Sequence, residues 1–207
     1  MTEDELMVAV ERAFAITSRD LPGWPDPNPE RRPADDAYSR VTDAARYRIV
    51  GARADAWAAA AVELGLARIV DRVDWAEAPG TKVSRSVMVV PEAIGGLPMV
   101  IARSALGDCD DAGLTLGAGR PATQVVFVPD CGCDACDSGS QDLIDLVDEY
   151  VRAIVTGRFR RLSQGQQVIT VTGESSSSAN VDRRRSAAAL ADPRGWTDLR
   201  GTSWLSA

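Results

Sequence analysis

Apolar residues recur at helical spacing in three stretches of the chain and alternate with polar ones in the region between the second and third. Leu6, Val10, Ala13 and Phe14 share one helical face, and Thr2-x-x-Glu5 ahead of them reads as a capping box opening a short first helix. Tyr47, Val50, Ala54, Trp57, Ala58 and Ala61 form a second stripe. It predicts a helix that starts after Thr42 as N-cap, runs to about Leu64 and stops at Gly65. The third stripe is Leu143, Leu146, Val147, Tyr150, Val151 and Ile154, set between the capping box Ser138-Gly139-Ser140-Gln141 and Gly157.

From Ala67 the spacing changes to short β-branched runs. Strands are predicted at 68–75, 83–90, 99–104, 114–117 and 124–128, separated by turn-forming residues at 91–98 and 117–121. Such short connections imply an antiparallel meander. Residues 159–162 and 167–172 read as two further edge strands around Gly165, 174–180 as a flexible serine loop, and 182–191 as a last helix stopped by Pro193. Trp196 and Trp204 argue for a docked tail. Residues 21–33 hold five prolines, which excludes helix and central strand and leaves a stiff connector that Trp24 can pin. The expected fold class is α+β, a meander of about four to six antiparallel strands packed by two or three helices. It is read as a single domain over 1–207: an N-terminal helix (1–20), a Pro-rich connector (21–36), an α+β body (37–172), a flexible loop (173–181) and a C-terminal helix and tail (182–207).

Charge narrows the partners. The chain has 23 basic and 30 acidic residues, a net charge of −7, which repels phosphate backbones and anionic membranes. The basic run Arg183-Arg184-Arg185 is too short to reverse that. No apolar run approaches the roughly 20 residues of a bilayer span, and Met1-Thr2-Glu3-Asp4-Glu5 resembles no signal peptide. The expectation is a cytoplasmic protein that binds neither nucleic acid nor membrane. Its acidic surface suits a protein partner, for instance a basic effector.

Chemistry is bounded by what is missing. The chain contains no histidine, which excludes Ser-His-Asp and Cys-His catalysis and histidine-ligated metal enzymes from its own residues. Lys82, the one lysine, lies between Thr81 and Val83, so there is no Walker A loop. What remains is Cys131-Gly132-Cys133-Asp134-Ala135-Cys136, which holds three of the four cysteines. CxC and CxxC spacings let neighbouring thiolates converge on zinc. Cys109, on the loop after the 99–104 strand, is the candidate fourth ligand, with Asp134, Asp137 or Asp108 as oxygen substitutes. A dithiol redox site is the catalytic alternative, acting on a small molecule. Asp130, Asp134 and Asp137 would oppose it by raising the pKa of the nearby thiols. Plain burial of reduced cysteines is the third reading.

Two stretches, Ala37-Tyr38-Ser39-Arg40-Val41-Thr42-Asp43 with Arg46-Tyr47, and Pro129-Asp130-Cys131-Gly132-Cys133-Asp134-Ala135-Cys136-Asp137, together resemble an uncharacterised family of actinobacterial proteins. Its members carry a Cys-Gly-Cys-Asp-Ala-Cys-Asp box after a proline. The resemblance covers about 37–162 and implies a compact fold in which Cys131, Cys133 and Cys136 belong to one motif. It implies no activity or substrate. Members carry an acidic residue after the box where this chain has Ser138, and Cys109 is outside the pattern.

Overall fold

The capping box at Thr2 forms: its amide donates to Glu5 Oε2 at 2.7 Å, and its hydroxyl accepts the Glu5 N–H at 3.2 Å. That opens helix α1 (Glu3–Thr17) with Leu6, Val10 and Ala13 buried. The structure is a computed structural model that describes residues 1–30 and 32–205. Helix α2 (Arg48–Glu63) follows a short 3-10 turn, Ala44–Tyr47. Thr42 is therefore not its N-cap; its hydroxyl and amide are spent on Asp134. The predicted stripe of α2 is buried, but so are Gly51, Ala52, Arg53, Ala56 and Ala60. This helix is covered on most sides because α1, α3 (Ser140–Val155) and a sheet all pack on it, and its alanines let them approach. Arg53 is tolerated there because Asp148 of α3 accepts its Nε at 2.7 Å and its Nη2 at 2.6 Å. Glu11 of α1 accepts the same Nη2 at 2.6 Å, so one guanidinium joins three helices.

The meander is present. Strands β1 (Ala67–Val70), β2 (Val83–Pro91), β3 (Met99–Leu106), β4 (Cys109–Ala118) and β5 (Thr123–Val128) form an antiparallel sheet in the order β1-β2-β3-β4-β5. The strand expected over 68–75 stops at Val70, and the rest is a loop that returns to the sheet at a single Trp75–Ala122 bridge. Val89, Met99, Ile101, Leu114 and Leu116 face the helices. Their neighbours Met88, Val100 and Ala102 face the other way and are covered by Val73 and Trp75 of that loop.

The C-terminal part departs further from expectation. Strands β6 (Phe159–Gln164) and β7 (Gln167–Thr172) do not extend the first sheet. With β8 (Ser175–Ala179) and β9 (Thr197–Arg200) they make a second antiparallel sheet, ordered β8-β7-β6-β9. The predicted serine loop is thus largely a strand, pairing Ser175–Ala179 with Val168–Thr172 while all five side chains face solvent. Helix α4 (Arg183–Ala191) covers Leu162 and Ile169 on one face of this sheet, and Phe159 on the other joins the main core. The tail docks: Trp204 is buried and its amide donates to Val155 O at 2.8 Å. The α+β class stands, with nine strands in two sheets among the described residues. Among those residues, no helix is long and apolar enough to cross a membrane.

Candidate metal centre

Strand β5 ends at Val128, and the chain turns through a cis Val128–Pro129 bond into the cysteine box. The box rests on the end of the β3–β4 hairpin. A Cβ on Gly132 would lie 2.7 Å from Leu106 Cδ2, so any larger residue there would have to displace the Leu106 side chain. Cys133 to Cys136 close a turn, with the Cys136 amide donating to Cys133 O at 3.0 Å.

Both carboxylates inside the box are occupied as tethers. Asp134 Oδ2 accepts Arg40 Nε at 2.7 Å and the Thr42 hydroxyl at 2.6 Å, while Oδ1 accepts the Thr42 amide at 2.9 Å. The backbone adds Asp134 N–H to Arg40 O at 2.8 Å and Ala135 N–H to Ala37 O at 3.2 Å. The bonds from Thr42 and Arg40 to the carboxylate pull the Asp134 carboxyl down to about 2, with the Thr42 hydroxyl the largest cause and Arg40 next. The Asp137 side chain is fully buried. It accepts Trp24 Nε1 at 2.9 and 3.1 Å and the Gly139 amide at 3.0 Å, and pairs with Arg46 Nη2 at 2.9 Å. Arg46 in turn lies 5.0 Å from the ring centres of both Trp24 and Tyr47. The Pro-rich connector is thereby pinned by Trp24, and Ser140 completes the clasp by exchanging 3.0 Å bonds with the Trp24 backbone. Helix α3 starts at Ser140 with Gly139 as its cap residue and no side-chain cap, so the capping box predicted at Ser138 does not form; the Gly139 amide goes to Asp137 instead.

The three sulfurs converge. Cys131 Sγ and Cys133 Sγ lie 3.3 Å apart, and the sulfurs of Cys131, Cys133 and Cys136 all lie within 4.8 Å of one another. Cys133 is buried, whereas Cys131 and Cys136 reach the surface. The carboxylates do not set the thiol chemistry as the sequence suggests. The Cys131 thiol, donating to Cys133, lowers the Cys133 pKa against the opposing effect of burial, and the amides of Ala135 and Cys136 add to it. Cys136 is pushed up to about 12, chiefly by Cys133 and then by Cys131. One thiolate forms readily and the last resists, as expected for three sulfurs sharing one small space. Divalent metal would remove that conflict, because thiolates are its preferred soft donors and its charge offsets their repulsion.

Cys109 begins β4 rather than lying in a long loop, and it pairs with Leu106, the residue beneath Gly132. The two segments do meet at the same end of the sheet. The Cys109 sulfur nevertheless stands outside the three-sulfur group, 3.8 Å from Arg48 Nη2. Asp134 and Asp137 are committed to their tethers, and Asp108 sits on the β3–β4 turn. The described geometry therefore offers three sulfur ligands and leaves the fourth position to another donor. Beside the box lies a cavity of about 410 Å³ whose lining includes Arg40, Thr42, Arg46, Asp134 and Asp137 but none of the three cysteines.

Sequence reasoning did not find the outer ring of Arg40, Thr42 and Arg46. The signal was present: these residues lie in the 37–47 stretch that, with the box, carries the family resemblance. The structure shows why the two stretches belong together, since one is the clamp of the other.

A family model described as a family of unknown function (DUF6226) matches residues 10–206, and the chain belongs to that family. No curated protein and no solved structure matches it.

Proposed function

Taking membership of a family of unknown function as the premise, we propose that this chain is a non-catalytic cytoplasmic protein whose Cys131, Cys133 and Cys136 hold one zinc ion. In this reading the box is a signature of the family's actinobacterial members. The observation that carries the proposal is the convergence of three sulfurs within 4.8 Å on a loop already fixed from outside. Zinc would supply a cross-link at the junction between β5 and α3. The residues of the chain do the rest. Asp134 holds the loop to the 40–42 segment and Asp137 holds it to Trp24 of the connector, while the amides of Ala135 and Cys136 favour the Cys133 thiolate. With a net charge of −7, the surface suits a basic protein partner rather than nucleic acid or membrane.

Elemental analysis with a thiol count, on protein purified without chelator or nickel resin, tests the zinc site. The expected result is about one zinc per chain, with the three box thiols shielded until a chelator is added. No metal and four freely titrating thiols would refute it.

The 3.3 Å approach of Cys131 and Cys133 supports a second reading, a dithiol that reduces a small disulfide. The Cys133 thiolate would attack one sulfur of the substrate and release the first thiol. Cys131 would then displace the second, leaving a Cys131–Cys133 disulfide. This requires metal-free protein and one thiol far faster than the others. The absence of all three cysteines from the adjoining cavity's lining favours the zinc site.

A further inference from the structure

Among the described residues, the wholly or partly buried arginines are each matched by a carboxylate, with one exception. Arg46, Arg53, Arg103 and Arg160, all wholly or partly buried, each pair with a carboxylate at 2.5–3.0 Å. Arg161 is half-buried as well, yet it has no carboxylate partner among the described residues. Its Nε is fully shielded and donates to none of them. The register explains the isolation. Arg161 sits on β6 between Thr170 of β7 and Leu199 of β9, so neither cross-strand neighbour can neutralise it. Arg160 projects to the opposite face and takes Asp198.

Arg161 and Ser163 line a cleft of about 600 Å³ between the second sheet and the first. The far wall is Thr123, Gln124 and Val125 of β5, with the β1–β2 loop at 76–80; Val168 and Gln166 close the near side. Burial alone lowers the Arg161 pKa, and the one group that offsets this is the Tyr150 side chain of α3. A half-buried guanidinium without a counter-charge is disfavoured, and the usual remedies are an ion pair or a bound anion.

We propose that this cleft is a binding site for a small organic monocarboxylate, whose carboxylate pairs with the Arg161 guanidinium. A lining with one cation, one carboxylate and otherwise uncharged groups suits a ligand with at most one negative charge. Glu77, also on the lining, disfavours a dianion such as phosphate. Ala76, Ala78, Val125 and Val168 give the hydrocarbon part of the ligand an apolar surface. The site is independent of the cysteine box, because no box residue lines it.

Benzoate is the probe, benzamide its uncharged counterpart and inorganic phosphate the dianion control. Each is titrated into full-length protein carrying 15N-labelled arginine, with the arginine Nε–H resonances as the readout. Benzoate should shift the Arg161 resonance saturably, with benzamide and phosphate at least roughly tenfold weaker, as expected for loss of a charge-assisted hydrogen bond. Arg161→Gln should abolish the preference of benzoate over benzamide, read on the Gln124 side-chain amide. Arg161→Met should unfold thermally at or above the wild-type midpoint, since it removes an unpaired charge and not a structural ion pair. An Arg161 resonance unmoved by benzoate at 100-fold molar excess would overturn the proposal. So would equal benzoate binding in Arg161→Gln, or a lowered midpoint in Arg161→Met.

Discussion

Asp137 is the residue through which the box, the connector and the approach to α2 are joined, and its removal gives a quantitative test of the clamp. In Asp137→Ala the Trp24 Nε1 and Gly139 N–H donors lose their acceptor and Arg46 loses its buried counter-ion. Deleting one partner of a buried ion pair costs about 3–5 kcal/mol, because the other charge stays behind. The Arg46 side chain is 23% exposed, so water reaches part of the orphaned guanidinium. That puts the loss near the lower end, about 3 kcal/mol. The hydrogen bonds involve the same carboxylate and are not added separately. Asp137→Asn also leaves Arg46 without its counter-ion but keeps one oxygen to accept from Trp24 or Gly139, so its loss should be smaller than that of alanine by about 1 kcal/mol. Urea unfolding followed by far-ultraviolet circular dichroism, with chelator in every sample, reads both differences at constant slope. The same variants should alkylate faster at Cys133, whose burial depends on the loop staying in place. A loss under about 1 kcal/mol for Asp137→Ala would refute the clamp, as would an equal loss for alanine and asparagine.

Three further outcomes follow from the same geometry. Trp204→Ala empties a site only 2% exposed and should cost about 3–5 kcal/mol in urea unfolding. Trp204→Phe should cost far less, because the Trp204 Nε1 donates to no described residue. The Asp134 carboxyl, held at about 2 against a usual 3.8, contributes stability that is complete above pH 3.8 and is lost as pH falls through about 2. Carbon-13 titration of this carboxyl should show that low midpoint, and Thr42→Val should raise it; an unmoved midpoint would show the hydroxyl to be irrelevant. In chelated, reduced protein, thiolate absorbance at 240 nm should rise in separated steps, the first box thiol below 9 and the last near 12. Cys131→Ser should narrow that spread, and a single step containing all four thiols would disprove the coupling.

Much of the fold was legible because its signals are local. Thr2 and Glu5 lie within one turn of each other, Gly65 and Gly157 end α2 and α3 at positive φ, and the meander's strands are joined by short turns. What failed depended on distant partners. The serine run at 175–178 has no apolar pattern and becomes strand only because β7 offers it a ladder. The residues 159–172 resemble the earlier strands in composition, yet 160–163 pair with residues 197–200, thirty or more positions away, and 167–172 pair with the serine strand, so they form their own sheet. Thr42 looks like a helix cap by residue type, but a carboxylate 92 positions on competes for its hydroxyl. Cys109 shows the same limit: spacing brings its segment to the box, while the side-chain direction that leaves its sulfur beside Arg48 cannot be read from spacing.

The box is weak by spacing, one cluster and a distant cysteine instead of two separated pairs, and the structure explains how it can still form a site. A second pair normally fixes the backbone around the metal. Here that task falls to the two carboxylates inside the box, which act as tethers and not as ligands, each held by an arginine from the 40–46 segment. The arginines also cancel the tethers' charge, so the field at the sulfurs is set by the sulfurs themselves. In the proposed site, three thiolates and one dication carry a net charge of −1. A fourth ligand that is neutral keeps it there, whereas a carboxylate would deepen it. The chain has no histidine to supply such a ligand. A neutral donor such as water would complete the proposed site without adding charge, as at zinc centres that keep three protein ligands and one open position.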